Sequence, residues 1–277
     1  MKKLRVISLG AGVQSTTMAL MAAHGELMPM PDCAIFADTG WEPKAVYGHL
    51  AWLMDGRLPF PVHVVKTSNI RDDLIARSNP RTGRHRFITA PFFLLHPNGE
   101  TGMGRRQCTS HYKIEPIQKK ERELLGKGPR DRMEPGSIEQ WVGISVDEIF
   151  RATLSRVKYV VKRFPLIERR MTRRDCLAWL DRNGYPRPPK SACIGCPYHD
   201  DVAWRDMRDN RPEEWADAVE VDEAIRVPVD DESTPKLRAQ QFLHRSCVPL
   251  AEVDLSTPED HGQLNLFINE CEGLCGL

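Results

Sequence analysis

Cysteine, the best soft ligand and nucleophile among the side chains, occurs eight times in this chain, at 33, 108, 176, 193, 196, 247, 271 and 275. Cys193-Ile-Gly-Cys196-Pro197 brings two thiolates within reach of one metal, and a Cys-Pro step at such a turn is common around iron–sulfur clusters. Cys271-x-x-x-Cys275 forms a second close pair. The chain begins Met-Lys-Lys and reaches a glycine turn at Gly10 with no apolar export segment before it. A disulfide framework is therefore not expected, and metal or redox chemistry in the cytoplasm is. Cys33 falls in an apolar strand pattern and reads as packing. Cys176 and Cys247 carry no expected role.

A second chemical feature lies at the start. Ser8-Leu-Gly-Ala-Gly-Val-Gln-Ser-Thr16 joins a strand pattern to a helix pattern. Such a turn aims backbone N–H groups and the positive helix end at one spot, where a phosphate binds well. Gly10 and Gly12 let the backbone approach an anion, and Ser15 and Thr16 add hydroxyls, one of them as the helix cap. The loop lacks the third glycine of a dinucleotide fingerprint and the Gly-Lys of a Walker loop.

These residues need a scaffold to hold them. Leu4–Leu9, Cys33–Ala37, Val62–Lys66 and Gln140–Ile144 read as strands. Helices are expected from Ser15 or Thr16 to about His24, from Pro43 to about Met54, from about Tyr112 to Leu125, and from about Thr172. Strands alternating with helices at this spacing predict an α/β fold: an open, mainly parallel sheet with helices on both faces. Residues 78–107 show no clear period and read as a long loop. With 277 residues the chain has room for a domain over 1–200 and a mixed, mainly helical appendage with a cysteine-bearing tail over 201–277, packed on the same domain. Residues 150–174 hold nine Lys/Arg and one acid, Glu168, a stripe suited to acidic partners. Residues 200–232 hold thirteen Asp/Glu against four Arg and read as solvated helix faces. The net charge of +1 excludes nucleic-acid binding by bulk charge but not by a local stripe. The longest apolar runs, about six residues as in Met18–Ala23, exclude a membrane span.

In the order of its motifs the chain resembles the phosphoadenosine-phosphosulfate reductase family of the adenine-nucleotide α-hydrolases, or PP-loop ATP pyrophosphatases. The resemblance rests on Gly12-Val-Gln-Ser15, Asp38-Thr-Gly40, Cys108-Thr-Ser-His-Tyr-Lys-Ile-Glu-Pro-Ile117, Gly143-Ile-Ser-Val-Asp-Glu148 and Asn183-Gly-Tyr-Pro186 ahead of Cys193-x-x-Cys196. It covers roughly residues 5–200, with an echo in Glu270-Cys-Glu-Gly-Leu-Cys-Gly-Leu277. It implies ATP or a related adenine nucleotide bound by Ser8, Gly10, Gly12, Gln14, Ser15, Asp38, Thr39, Gly40 and Gly143. It also implies that Cys108 joins Cys193 and Cys196 at one metal, as a [4Fe–4S] cluster. The family's tandem Cys-Cys is broken here by Thr109, so the fourth ligand would come from Cys271 or Cys275. The tail motif points to Cys271 as a nucleophile, whereas the need for a fourth ligand points to it as a metal ligand; the expectation is Cys271 as ligand and Cys275 as reactive thiol, with Lys113 as a second catalytic residue. The alternative is zinc on Cys108, Cys193, Cys196 and His199.

Three functions follow from the resemblance. In ATP-dependent sulfur transfer, an acceptor oxygen attacks the α-phosphate, and sulfur from the metal centre or a persulfidated Cys then displaces AMP. Glu148, Lys113 and the basic stretch would hold a nucleic acid or a small acidic acceptor, and a sulfur-donor protein is implied. In sulfonucleotide reduction, a tail thiolate attacks the sulfuryl sulfur and a thioredoxin-like partner releases sulfite. The missing Arg after Gly143 and the extra Glu272 in the tail speak against that reading. The third is a non-catalytic nucleotide-binding subunit. Sulfur transfer is the leading expectation.

Overall fold

The structure, a computed structural model, describes residues 3–77, 90–226, 239–256 and 260. Its centre is built from β1 (Leu4–Leu9), β2 (Cys33–Asp38), β3 (Val62–Lys66), β6 (Ile138–Val142) and β7 (Val160–Arg163), in the order β3-β2-β1-β6-β7. Every pairing in this sheet is parallel. A parallel sheet needs both faces covered, which is why β2 reads Cys-Ala-Ile-Phe-Ala with no polar alternation. The two-residue period divides the core. Ile7, Phe36 and Trp141 pack beneath α1 (Val13–Ala23), α2 (Lys44–Met54) and α6 (Arg173–Arg182). Val6, Ile35 and Ile138 face the other way, with Ile117 of α4 (Glu115–Leu124).

The expected α/β class is what the chain adopts. Chain order runs outward from β1 in both directions, so the strand order reverses between β1 and β6. In open α/β sheets that reversal opens a ligand crevice at the carboxyl ends of the strands.

Several local expectations are revised. The π-helical turn Thr109–Ile114 runs directly into α4, so the helical segment starts earlier than Tyr112 and Pro116 sits in the first turn of α4. Strand β6 begins two residues before Gln140. The stretch read as an aperiodic loop contains β4 (Phe93–Leu95) and β5 (Thr101–Met103). With β8 (Gln240–Phe242) these make a small antiparallel sheet, β5-β4-β8. Strands of three residues show no period in sequence, and β8 supplies a pairing partner far along the chain.

The region after 200 holds α7 (Asp201–Asn210) and α8 (Pro212–Arg226). Together with Trp41, Ile70, Leu74, Tyr112 and Ile194, their apolar faces make a further core. The acidic stretch is only partly a solvated face. Glu214 and Asp222 are buried, at 6% and 1% exposure. Asp222 accepts hydrogen bonds from the backbone N–H groups of Leu243 and Leu250, both at 2.8 Å, and pairs with Arg226. Asp217 accepts from the Trp41 indole and the Arg71 guanidinium. These carboxylates fasten α8 to the elements that carry the site.

Candidate functional site

The loop from β1 to α1 starts at the end of a strand paired on both sides, with Ser8 in register with Ile35 and Val142. Gly12, not Ser15 or Thr16, stands at the helix N-cap, with no side-chain cap. Ser15 lies inside the first turn, where its hydroxyl accepts from Gly10 N at 3.2 Å and donates to the Gly12 carbonyl at 3.3 Å. Ala11 is held at φ 54°, a left-handed conformation uncommon for a residue with a Cβ. Such an outlier is characteristic of loops shaped for a ligand. Thr16 points elsewhere: it is fully buried, and its hydroxyl meets His49 Nε2 at 3.0 Å. Burial lowers the His49 pKa.

Gly143 backs this loop rather than lining it. A Cβ there would lie 2.8 Å from Ser15 N and 2.9 Å from Ser15 Cα, so only glycine lets β6 end this close to α1. Gln14 turns toward the same strand end. Its amide nitrogen donates to Ser145 Oγ at 3.4 Å and to Glu148 Oε2 at 3.3 Å, and its oxygen accepts from Arg173 at 3.3 Å. Glu148 also pairs with Arg151 at 2.8 Å, while burial raises its pKa.

At the end of β2, Asp38 accepts from Gly40 N and from the Tyr47 hydroxyl, both at 2.7 Å, with Lys66 Nζ at 3.6 Å. Gly40 adopts φ 77°, and a Cβ would meet Lys66 Nζ at 2.9 Å and Asn69 Cα at 3.0 Å. Thr39 faces the cysteines: its Oγ1 donates to Glu42 Oε1 at 3.1 Å and lies 3.3 Å from Cys193 Sγ.

Cys108, Cys193, Cys196 and Lys113 line one pocket, with Thr39 and Arg106 among apolar walls from Trp41, Ile70, Leu74 and Pro197. Including its open mouth, it encloses about 520 Å³. Burial, reinforced by the Glu42 carboxylate, pushes the Cys193 thiol up. Glu42 is 3% exposed, with Lys113 Nζ 3.7 Å from Oε1 and no hydrogen-bond partner for its other oxygen. The Cys turn is close-packed, because a Cβ on Gly195 would overlap the Trp41 ring. His199 braces the turn through Nε2, which is 3.0 Å from the Cys193 carbonyl and 3.1 Å from that of Ile194. Burial drops its pKa to about 4, so the ring is neutral and donates from that nitrogen. Those bonds occupy Nε2 and leave Nδ1 buried without a hydrogen-bond partner, the way a metal-ligating histidine is held, so His199 keeps a nitrogen for the zinc alternative.

Three thiols on one apolar-walled lining fit an iron–sulfur group in the chemistry of the donor set. Among the described residues, no group of three or more His, Cys, Asp or Glu is drawn together as a ready metal site. Cys271, Cys275 and the rest of the tail from 261 onward, expected to pack on the domain, lie outside the described residues. Cys33 and Cys176 are buried core thiols, each pushed up to about 12 chiefly by burial.

The site contains residues that the sequence motifs did not single out. Ser191 donates to the Gly10 carbonyl. Ile194 N donates to the Trp41 carbonyl at 2.9 Å. Glu42 was visible only as an acid four residues after Asp38. Nothing in local sequence tells a buried carboxylate from a solvated one.

No family model matches the chain, and no curated protein matches it. Among solved structures it is similar to a phosphoadenylyl-sulfate (PAPS) reductase from Candida auris in its phosphate complex. The identity is 14%, covering 66% of this chain and 74% of that one, with a TM-score of 0.42. It is also similar to the U34-tRNA thiolase NcsA from Methanococcus maripaludis with its [4Fe–4S] cluster, at 12% identity over 92% of this chain and 79% of that one, TM-score 0.39. In the order of its motifs the chain resembles the PAPS reductase family.

Proposed function

We propose that this chain is an adenine-nucleotide enzyme of sulfur metabolism that activates an acceptor with ATP and exchanges the activated oxygen for sulfur. The observation that carries the reading is the junction at one sheet edge: the Gly10–Ser15 loop and the three-cysteine pocket share the segment 191–196. Phosphate chemistry and thiol chemistry thereby meet at neighbouring strand ends.

In this reading the loop N–H groups and the α1 N-terminus hold the phosphates of ATP. An acceptor oxygen attacks the α-phosphorus, the bond to pyrophosphate breaks, and pyrophosphate leaves with the electron pair. A sulfide-level sulfur nucleophile then attacks the carbon bearing the adenylated oxygen, and AMP departs. Cys108, Cys193 and Cys196 would hold a [4Fe–4S] cluster, with Cys271 as the proposed fourth ligand. Such a group supplies a soft centre able to bind sulfur. Lys113 offsets negative charge at the pocket, and Cys275 remains the proposed reactive thiol.

The rim beside the loop supports an acidic acceptor, with nucleic acid the form it fits best. Ile149, Phe150 and Leu154 are 55%, 68% and 87% exposed, directly after Glu148. Val146 N donates to the Met171 carbonyl at 2.9 Å, and Arg173 N to Asp147 at 3.1 Å, so this segment and the arginines opening α6 share one rim. Arg156, Lys158 and Arg174 are exposed nearby in sequence. An exposed aromatic among cations stacks bases and neutralises phosphates.

The test is product analysis with anaerobically purified protein. ATP, an RNA or DNA acceptor and sulfide should yield AMP and pyrophosphate in step with thiolated acceptor. Sulfite from phosphoadenosine phosphosulfate with reduced thioredoxin would replace this reading with the reductase. Nucleotide binding without turnover in either assay would replace it with the binding subunit.

A further inference from the structure

The segment 191–194 crosses the carboxyl ends of β1 and β2 and is pinned at three points. Ser191 Oγ donates to the Gly10 carbonyl. Cys193 Sγ sits 3.3 Å from Thr39 Oγ1. Ile194 N donates to the Trp41 carbonyl at 2.9 Å. Ser191 also packs on the loop itself, since a Cβ at Gly12 would come within 3.3 Å of Ser191 Cβ. Both backbone groups of Gly10 are therefore engaged by hydroxyls, its N–H by Ser15 at 3.2 Å and its carbonyl by Ser191.

We propose that Ser191 is a positioning residue that fixes the phosphate loop and couples its occupancy to the placement of Cys193. The proposal rests on the nucleotide reading of the loop given above. The physical case is a short chain of contacts. The Gly10 carbonyl shares a peptide plane with the Ala11 N–H, so its orientation sets where that loop N–H points. Ser191 holds that carbonyl, and two residues further along the chain Cys193 is held by Thr39. A phosphate that draws the loop into one conformation favours the Ser191 contact and, through it, one position of the strap. By linkage the strap must favour nucleotide to the same degree. The coupling would let thiol chemistry wait for a loaded phosphate loop.

Hydrogen exchange on the as-purified full chain tests this, comparing apo protein with ATP and with pyrophosphate alone. In the unmodified protein, ATP should slow exchange in both 10–16 and 190–196. In Ser191→Ala, ATP should bind about fivefold more weakly, as expected for one lost hydrogen bond. Protection at saturating ATP should then persist in 10–16 and disappear in 190–196. Ser191→Thr, which keeps the hydroxyl, should restore the coupled protection; a purely structural role would leave the two segments protected alike in every variant that folds. Protection of 10–16 without 190–196 in the unmodified protein overturns the coupling and leaves the nucleotide reading standing. So does Ser191→Ala retaining both. Protection of neither segment overturns the nucleotide reading and the coupling with it.

Discussion

Gly143 sits where β6 meets the first turn of α1, and its missing side chain is a requirement of packing. A methyl group there would sit 2.8 Å from Ser15 N, a backbone atom that cannot rotate away. Gly143→Ala should therefore cost about 1–3 kcal/mol of stability, the usual range for forced overpacking. Because the displaced atoms belong to the phosphate loop, nucleotide affinity should fall about tenfold or more in the protein that remains folded. Calorimetric titration with ATP beside a denaturant melt checks both. A stable variant with unchanged affinity would mean the loop gives way without consequence. Glu42 is a different case, for its importance comes from place alone: a buried carboxylate with one oxygen unpartnered beside Cys193 and Lys113.

Helix α4 carries a second buried acid. Glu121 is fully buried, accepts from Gln140 Nε2 at 3.0 Å and leaves its other oxygen without a partner. Burial raises its pKa to about 8. An unfolded Glu titrates near 4.5, so between those values the folded chain holds a proton that the unfolded chain has lost. The contribution to stability is full below about pH 4.5 and is lost as pH rises through about 8. Glu121→Gln should flatten that part of the curve, which urea melts at pH 5 and pH 8 would register. A parallel decline in the variant would assign the pH dependence to other groups. The same element scale explains α8. Breaking the buried Asp222 network by Asp222→Ala should cost about 3 kcal/mol or more, because two backbone donors and Arg226 lose their acceptor together. The loss should appear as a lower urea midpoint. A change under about 0.5 kcal/mol would mean water replaces the carboxylate freely.

At the scale of the whole molecule, the three packed cores bring residues from three distant stretches to one pocket: Thr39 and Trp41, Cys108 and Lys113, Cys193 and Cys196. If these cysteines hold a cluster, anaerobic protein should be brown with a broad visible shoulder. Cys108→Ser, Cys193→Ser and Cys196→Ser should each lose iron, measured by metal analysis. Cys271→Ser should do the same, whereas Cys275→Ser should retain metal and lose turnover. Stoichiometric zinc in a colourless protein would keep the ligands and replace the cluster. Metal retained in all three pocket variants would remove the assignment.

Among the described residues no helix is long and apolar enough to cross a membrane. What the sequence determined by itself was the parallel α/β sheet, because buried apolar strands and helix-length spacers repeat at a period that few other folds accept. It also located the two strand-end motifs, whose glycines and small polar residues mark turns locally. Burial and pairing over long sequence separations belonged to the tertiary structure. Only the folded chain turned Thr16 toward His49, gave Gly143 a packing role, folded three-residue strands from 93–103 against 240–242, and converted acids of α8 from a solvated face into fasteners. The same holds for Ser191, a residue without local distinction that acquires its place because the chain returns it to Gly10 across a separation of 181 positions. Local sequence encodes conformational preference; which polar atom ends up facing which is decided by the packing of elements distant along the chain.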